Sequence, residues 1–369
     1  MDKIPSYNTI DNWVRKCGLD HINQTPKELK DVDYAVVIDE CMMIGSQKLL
    51  PIISVPAKHQ GRPIQLDDVK VIGFDVQSNW NAEKVNESLQ KSERIIGKAP
   101  KYVISDNDMK MRKAIELSNL TWHRDISHTL AMFMERVYKH DVEFVNFFDK
   151  MTTCKKQCCM KDLAYLQSPS QRCKARFMNL TESVNWAYKM LQLYHERNAC
   201  EKAVFSFIPA YASFIDEIRD VVSCVHFIEK EAKNNGLSKN TIAICKKHVN
   251  ATIMCGNDRM RKVANYFLSY LSEEDKLLKN DEVVNNSSDI IETTFGIFKY
   301  IQSPNKLNGV TTLVLHLPVR LSYAGKSKSK NYYVKERLCR TRIKDITLWR
   351  EKNLMENLVA KRIKTLQTA

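Results

Sequence analysis

Apolar residues recur with the short period of strands through the first third of the chain, and with the longer period of helices after about residue 130. Ahead of the strands, residues 4–19 carry Ile10, Trp13 and Val14 on one helical face and predict a short helix stopped at Gly18. The β-branched run 34–38 (YAVVI) predicts a first strand, which runs into Asp39 and Glu40. The runs 49–55 (LLPIISV) and 69–76 (VKVIGFDV) repeat the signal, so the region opens as a three-strand meander. Helical spacing of Val85, Leu89 and Ile95 or Ile96 over 82–97, closed by Gly97 and Pro100, is followed by a buried strand at 102–105 that ends at Asp106. A helix at 108–117, a short fifth strand at 121–126 and a helix at 129–138 complete the pattern.

From 130 to 284 strand signals all but vanish, and stretches such as AYKMLQLYH and VANYFLSYLSEEDKLL are amphipathic helices. Only 10 glycines in 369 residues agree with a helix-rich chain. Residues 287–301 (SSDIIETTFGIFKYI) open on a serine pair suited to an N-cap and continue as a helix ended by Pro304.

Charge changes the picture more than overall composition does. The formal net charge is +14, and residues 326–369 hold 13 Lys or Arg against 4 Asp or Glu. Such a basic balance favours a polyanionic partner through phosphate neutralisation, so DNA is the expected partner. No apolar run approaches the ~20 residues of a membrane span, and no membrane association is expected. Eleven irregularly scattered cysteines without a signal-peptide core read as reduced thiols in a cytoplasmic protein.

Three acids stand where chain geometry exposes them: Asp39 and Asp106 just past buried strands, and Glu292 within the late helix. An aspartate after a strand is commonly a turn former or helix cap, so each alone says little. Together they have the chemistry to hold Mg²⁺ or Mn²⁺, whose hard oxygen ligands serve phosphoryl transfer. Asp108, Asp75 and Asp289 are the alternatives nearby, while Glu40 beside Asp39 points away if the strand continues through it.

This arrangement of strand with Asp, meander, helix, strand with Asp, helical block and helix with Glu resembles the DDE transposases of the ribonuclease H-like superfamily, of the bacterial insertion-sequence type with a helical insertion (the Mutator-like branch). YVISDNDMKMRKAI resembles the family's second-aspartate segment, Asp125-Ile-Ser-His128 its Cys-or-Asp, two residues, His signature, and SSDIIETTFGIFK its glutamate helix. The separation of 186 positions from Asp106 to Glu292 leaves room for the insertion. The resemblance implies an α/β fold: a ribonuclease H-like mixed sheet with a large all-α insertion between the last core strand and the glutamate helix. It implies a metal-dependent transposase with catalytic and metal-binding residues Asp39, Asp106 and Glu292, Asp125, His128 and Trp186 in supporting or DNA-positioning roles, and a homo-oligomer in the DNA complex. A DNA-binding relative without catalysis, or a ribonuclease H-like nuclease without strand transfer, shares the same features.

The expected organisation is 1–28, a remnant of a helix-turn-helix with Thr9, Asn12 and Arg15 offered to the groove and Ile10 and Trp13 to packing; 29–130, first part of the catalytic core; 131–284, the insertion; 285–325, the rest of the core; and 326–369, a basic helical tail. Ordinary alternatives weigh on several residues: Trp186 as core, His128 as a helix-terminal hydrogen bonder, and Cys154, Cys158, Cys159 and Cys173 as packed thiols rather than a zinc site.

Overall fold

In a computed structural model the protein is described over residues 4–39, 42–170, 176–302, 305–324 and 334–368. The chain forms two compact units, Met1–Asp125 with Val283–Ala369, and Ile126–Glu282. The expected cut after residue 130 falls inside a helix, Ile126–Tyr138, which clusters whole with the second unit.

The first unit is built on one mixed, open sheet. Its strands are β1 (Tyr34–Val37), β2 (Met42–Ile44), β3 (Gln47–Pro56), β4 (Lys70–Gln77), β5 (Val103–Ser105) and β6 (Trp122–Arg124). The order is β2-β3-β1-β5-β6, with β4 on the remaining edge of β3. β1, β3 and β4 pair antiparallel, whereas β1, β5 and β6 run parallel. β2 follows β1 along the same edge of β3, but four residues separate Val37 from Met42 where three separate Ile53 from Leu49.

Every residue of β1 is buried, so both faces of the sheet are covered. On one face Val36, Ile38, Leu50, Ile52, Ile72 and Val103 pack against Val85, Leu89 and Ile96 of α2 and Met111, Ala114 and Ile115 of α3. Helix α1 spans Tyr7–Leu29, α2 spans Ala82–Ile96 and α3 spans Met109–Leu117. Each such side chain contributes about 1.5–3 kcal/mol by leaving water, so period-two strands and period-3.6 helices specify one another.

α1 differs from its expected form in two respects. It runs through Gly18 to Leu29 because that glycine serves close approach, not termination: a Cβ there would lie 1.7 Å from the Leu315 carbonyl oxygen. Its buried face is Cys17, Leu19, Ile22 and Leu29, while Ile10 and Trp13 are exposed. The polar side is bound in instead. Arg15 bonds Asp11 at 2.5 Å and Thr312 at 2.6 Å, Asp11 also meets His316, and buried Asp20 receives Arg337 at 3.0 Å.

The second unit contains helices and short 3-10 turns, with no strand among its described residues. Its helices are α4 (Ile126–Tyr138), α5 (Val142–Met160), α6 (Leu180–Gln192), α7 (Ala199–Val204), α8 (Ala212–Asn235), α9 (Lys239–Ala251) and α10 (Asp258–Leu277). Phe144, Phe147, Phe148 and Phe214 form an aromatic core, and Arg259 joins α5, α8 and α10 by binding Asp141, Glu143 and Glu217.

The chain then returns to the first unit with α11 (Asp289–Ile301), α12 (His316–Ala324), α13 (Val334–Arg340), α14 (Ile343–Asn353) and α15 (Leu358–Thr368). Among the described residues no helix is long and apolar enough to cross a membrane.

Candidate functional site: the carboxylate edge of the sheet

The parallel register decides where the acids fall. Val36 lies opposite Val103 and Val37 opposite Ile104, and the Ile38 amide donates to the Ile104 carbonyl at 3.0 Å beyond the end of β1. Two further places along, Asp39 is level with Asp106. On the other side of β5, Ser105 lies opposite Arg124 and the Asp125 amide donates to the Ser105 carbonyl at 2.8 Å, which brings Asp125 level with Asp106 as well. Three neighbouring parallel strands, about 4.8 Å apart, thus end in a row of three aspartates at the carboxyl edge, where ligands of such sheets bind.

The three differ in surroundings. Asp125 is fully buried, and its Oδ2 accepts from both the Ser288 amide at 2.6 Å and the Ser288 hydroxyl at 2.9 Å. Asp39 is buried, whereas Asp106 is half-exposed and its Oδ1 accepts the Asp108 amide at 3.1 Å. Asp125 is thereby a structural clamp on the start of α11. The serine expected to cap that helix gives its hydroxyl to Asp125 instead of to its own first turn.

The segment before α11 is sewn to the same sheet. The His59 amide donates to the Val283 carbonyl, the Tyr102 hydroxyl donates to Ala57 and accepts the Asn285 amide at 2.9 Å, and the Asn285 side chain donates to Pro56. Ile291, Phe295 and Phe298 then bury one face of α11. At 100° per residue Glu292 follows Ser288 by one turn and sits on the flank of that face nearer Ser288, while Asp289 turns further to solvent. Both are exposed. Glu292 also leans toward the helix N-terminus, where a carboxylate is favoured.

The rivals have other occupations. Asp75 lies within β4 and pairs with Lys91 of α2 at 2.6 Å. Asp108 caps α3 by accepting the Lys110 amide and pairs with the Lys110 ammonium. Glu40 lies outside the described residues.

No protein-family model and no curated protein matches this chain. The site is therefore read from its own geometry. Asp39 and Asp106 come together at adjacent strand ends, and the helix of Glu292 is anchored to the third strand. Among the described residues no three His, Cys, Asp or Glu side chains are grouped to hold a metal ion.

The remaining candidates belong to other surroundings. Asn12 is exposed, Thr9 shares a hydrogen bond with Ser6 at the start of α1, and Arg15 is taken up by Asp11 and Thr312. His128 lies in the first turn of α4 and Trp186 in α6, both in the helical unit. Half-buried Trp186 donates its indole N–H to the Leu166 carbonyl at 3.0 Å and meets Phe205 edge-on. Cys154 and Cys158 are buried on α5, and burial pushes the Cys154 thiol up to about 12, so it stays protonated and a poor metal ligand. Cys173 lies outside the described residues. His226 bonds Thr181, and His248 stacks on Phe227.

Proposed function

We propose that the chain is a metal-dependent DNA strand-cleaving and strand-joining enzyme of the DDE transposase kind, on a ribonuclease H-like core, with Asp39, Asp106 and Glu292 as its carboxylates. The observation that carries this reading is the common register of Asp39 and Asp106 on adjacent parallel strands, with the Glu292 helix clamped by Asp125 to the next strand. The antiparallel meander followed by parallel strands, and the helical unit between Asp125 and α11, agree with the architecture that the sequence resemblance implies.

Carboxylate oxygens are the donors a hard divalent cation takes, and Asp39 and Asp106 stand on strand ends one strand spacing apart, with Glu292 on a helix one turn from its anchor. Mg²⁺ or Mn²⁺ bound there supplies an activated oxygen nucleophile and offsets charge on the departing oxygen. Asp39, Asp106 and Glu292 would hold the ion, and Asp125 keeps α11 seated against the sheet. The excess of basic residues tracks the phosphodiester backbone.

The test is nicking and cleavage of a labelled supercoiled plasmid, with Mg²⁺ or Mn²⁺, by the wild type and by Asp39→Asn, Asp106→Asn and Glu292→Gln. Each variant keeps shape and removes one charged ligand, so cleavage falls at least 100-fold while DNA affinity changes little. Near wild-type cleavage by any one of them reassigns that position. DNA binding without cleavage by the wild type in either ion favours a non-catalytic relative, and cleavage without joined products favours a simple nuclease.

A further inference from the structure

We propose that a cleft between residues 308–312 and the C-terminal helices α14 and α15 seats one unpaired nucleotide of a DNA strand, which rests on the reading of DNA as the substrate. The cleft has a volume of about 590 Å³, within the roughly 300–1,000 Å³ of sites that enclose small organic ligands.

Gln47 links its two walls. Gln47, buried at the start of β3, accepts the Val310 amide on Oε1 at 2.8 Å and donates from Nε2 to the Glu356 carbonyl at 3.0 Å. Gly309, at φ +62°, lies against that amide so closely that a Cβ there would come within 2.5 Å of Oε1. The cleft is thus part of the packed core's margin. Because β3 runs antiparallel to β1, its first residue points to the sheet edge where β1 and β5 reach Asp39 and Asp106.

The lining chooses the ligand. Arg350 and Lys364 stand exposed at the mouth, the latter paired with Glu356 at 2.6 Å, and Glu351 adds a second carboxylate. Two carboxylates beside two cations oppose a bare anion. A nucleotide offers both characters: a phosphate for Arg350 and Lys364, and a base whose donors and acceptors suit the side-chain amides of Asn308 and Asn357, with the apolar Leu354 and Met355 beside it. A cleft of side-chain dimensions admits an unstacked base and no duplex.

Fluorescence anisotropy with a fluorescein-labelled 12-base single strand tests the assignment in the full chain. The double variant Arg350→Ala/Lys364→Ala is compared with Lys361→Ala/Arg362→Ala, which removes equal charge from α15 outside the cleft. The first weakens binding about 10-fold or more and the second less than about 3-fold at matched salt, with circular dichroism unchanged. A strand carrying 5-iododeoxyuridine cross-links to the peptide containing Met355. Equal weakening by both variants, or cross-links only elsewhere, overturns the cleft while leaving DNA binding intact. A wild type that binds no DNA overturns both this assignment and the reading beneath it.

Discussion

Replacing Asp125 by alanine tests the clamp between the last parallel strand and α11. Asp125 is fully buried, as is Ser288, and one carboxylate oxygen accepts both the Ser288 amide and hydroxyl. A hydrogen bond to a charged group is worth about 1.5–3 kcal/mol, and a buried donor left unmet costs about 1–3 kcal/mol. With two donors stranded and the carboxylate's own burial relieved, the expected loss is about 3–5 kcal/mol, a large share of the 5–15 kcal/mol typical of a domain. Ser288→Ala removes only the hydroxyl and leaves the amide bonded, for about 1–2 kcal/mol. The double variant Asp125→Ala/Ser288→Ala then costs less than the sum of the two singles, because the hydroxyl is no longer stranded. The two units need not unfold together, so hydrogen exchange read peptide by peptide is the suitable assay. The amides of residues 288–295 should lose protection selectively in Asp125→Ala. A loss below 1 kcal/mol there, or strict additivity of the two substitutions, refutes the clamp.

Gly18→Ala should destabilise the first unit by about 1–3 kcal/mol despite alanine's better helix propensity, because its methyl meets the Leu315 carbonyl; Gly296→Ala, with open space around it, should gain up to about 1 kcal/mol, and urea unfolding of both checks the contrast. Burial first, then Arg337 and Lys70, lowers His21 from 6.5 to about 3, so the folded state binds its proton less readily than the unfolded chain. That preference is fully present above pH 6.5 and is lost as pH falls towards 3, with about 2 kcal/mol gone by pH 5. His21→Gln should flatten the stability difference between pH 7 and pH 5, and an unchanged difference would assign it to other groups.

How much was legible in the sequence depended on how local the cause was. The runs at 34–38 and 102–105 announced buried strands because β-branched residues filled consecutive positions, and their terminal acids followed directly. β2 left almost no trace, since three residues with an exposed Met43 in the middle carry no period. The facing of α1 was misjudged for a different reason: Ile10 and Trp13 look like a packing stripe, yet Asp11, Arg15 and Asp20 find partners from residues about 300 positions away. Such pairings leave no local periodicity. The link between Asp125 and Ser288 was hidden likewise; the serine advertised a cap, and only the sheet reveals what its hydroxyl reaches.

The division of the first unit across both ends of the chain governs how it can be made. Asp11 waits for His316, Asp20 for Arg337 and Asp125 for Ser288, so during synthesis the sheet stands without its closing helices until the helical unit has been translated. Its partners are then recruited across a span whose entropy of closure shrinks once the intervening helices have compacted. Variants that slow the helical unit should therefore leave nascent sheet exposed for longer, and the resulting loss of soluble yield would be a kinetic defect, not a thermodynamic one.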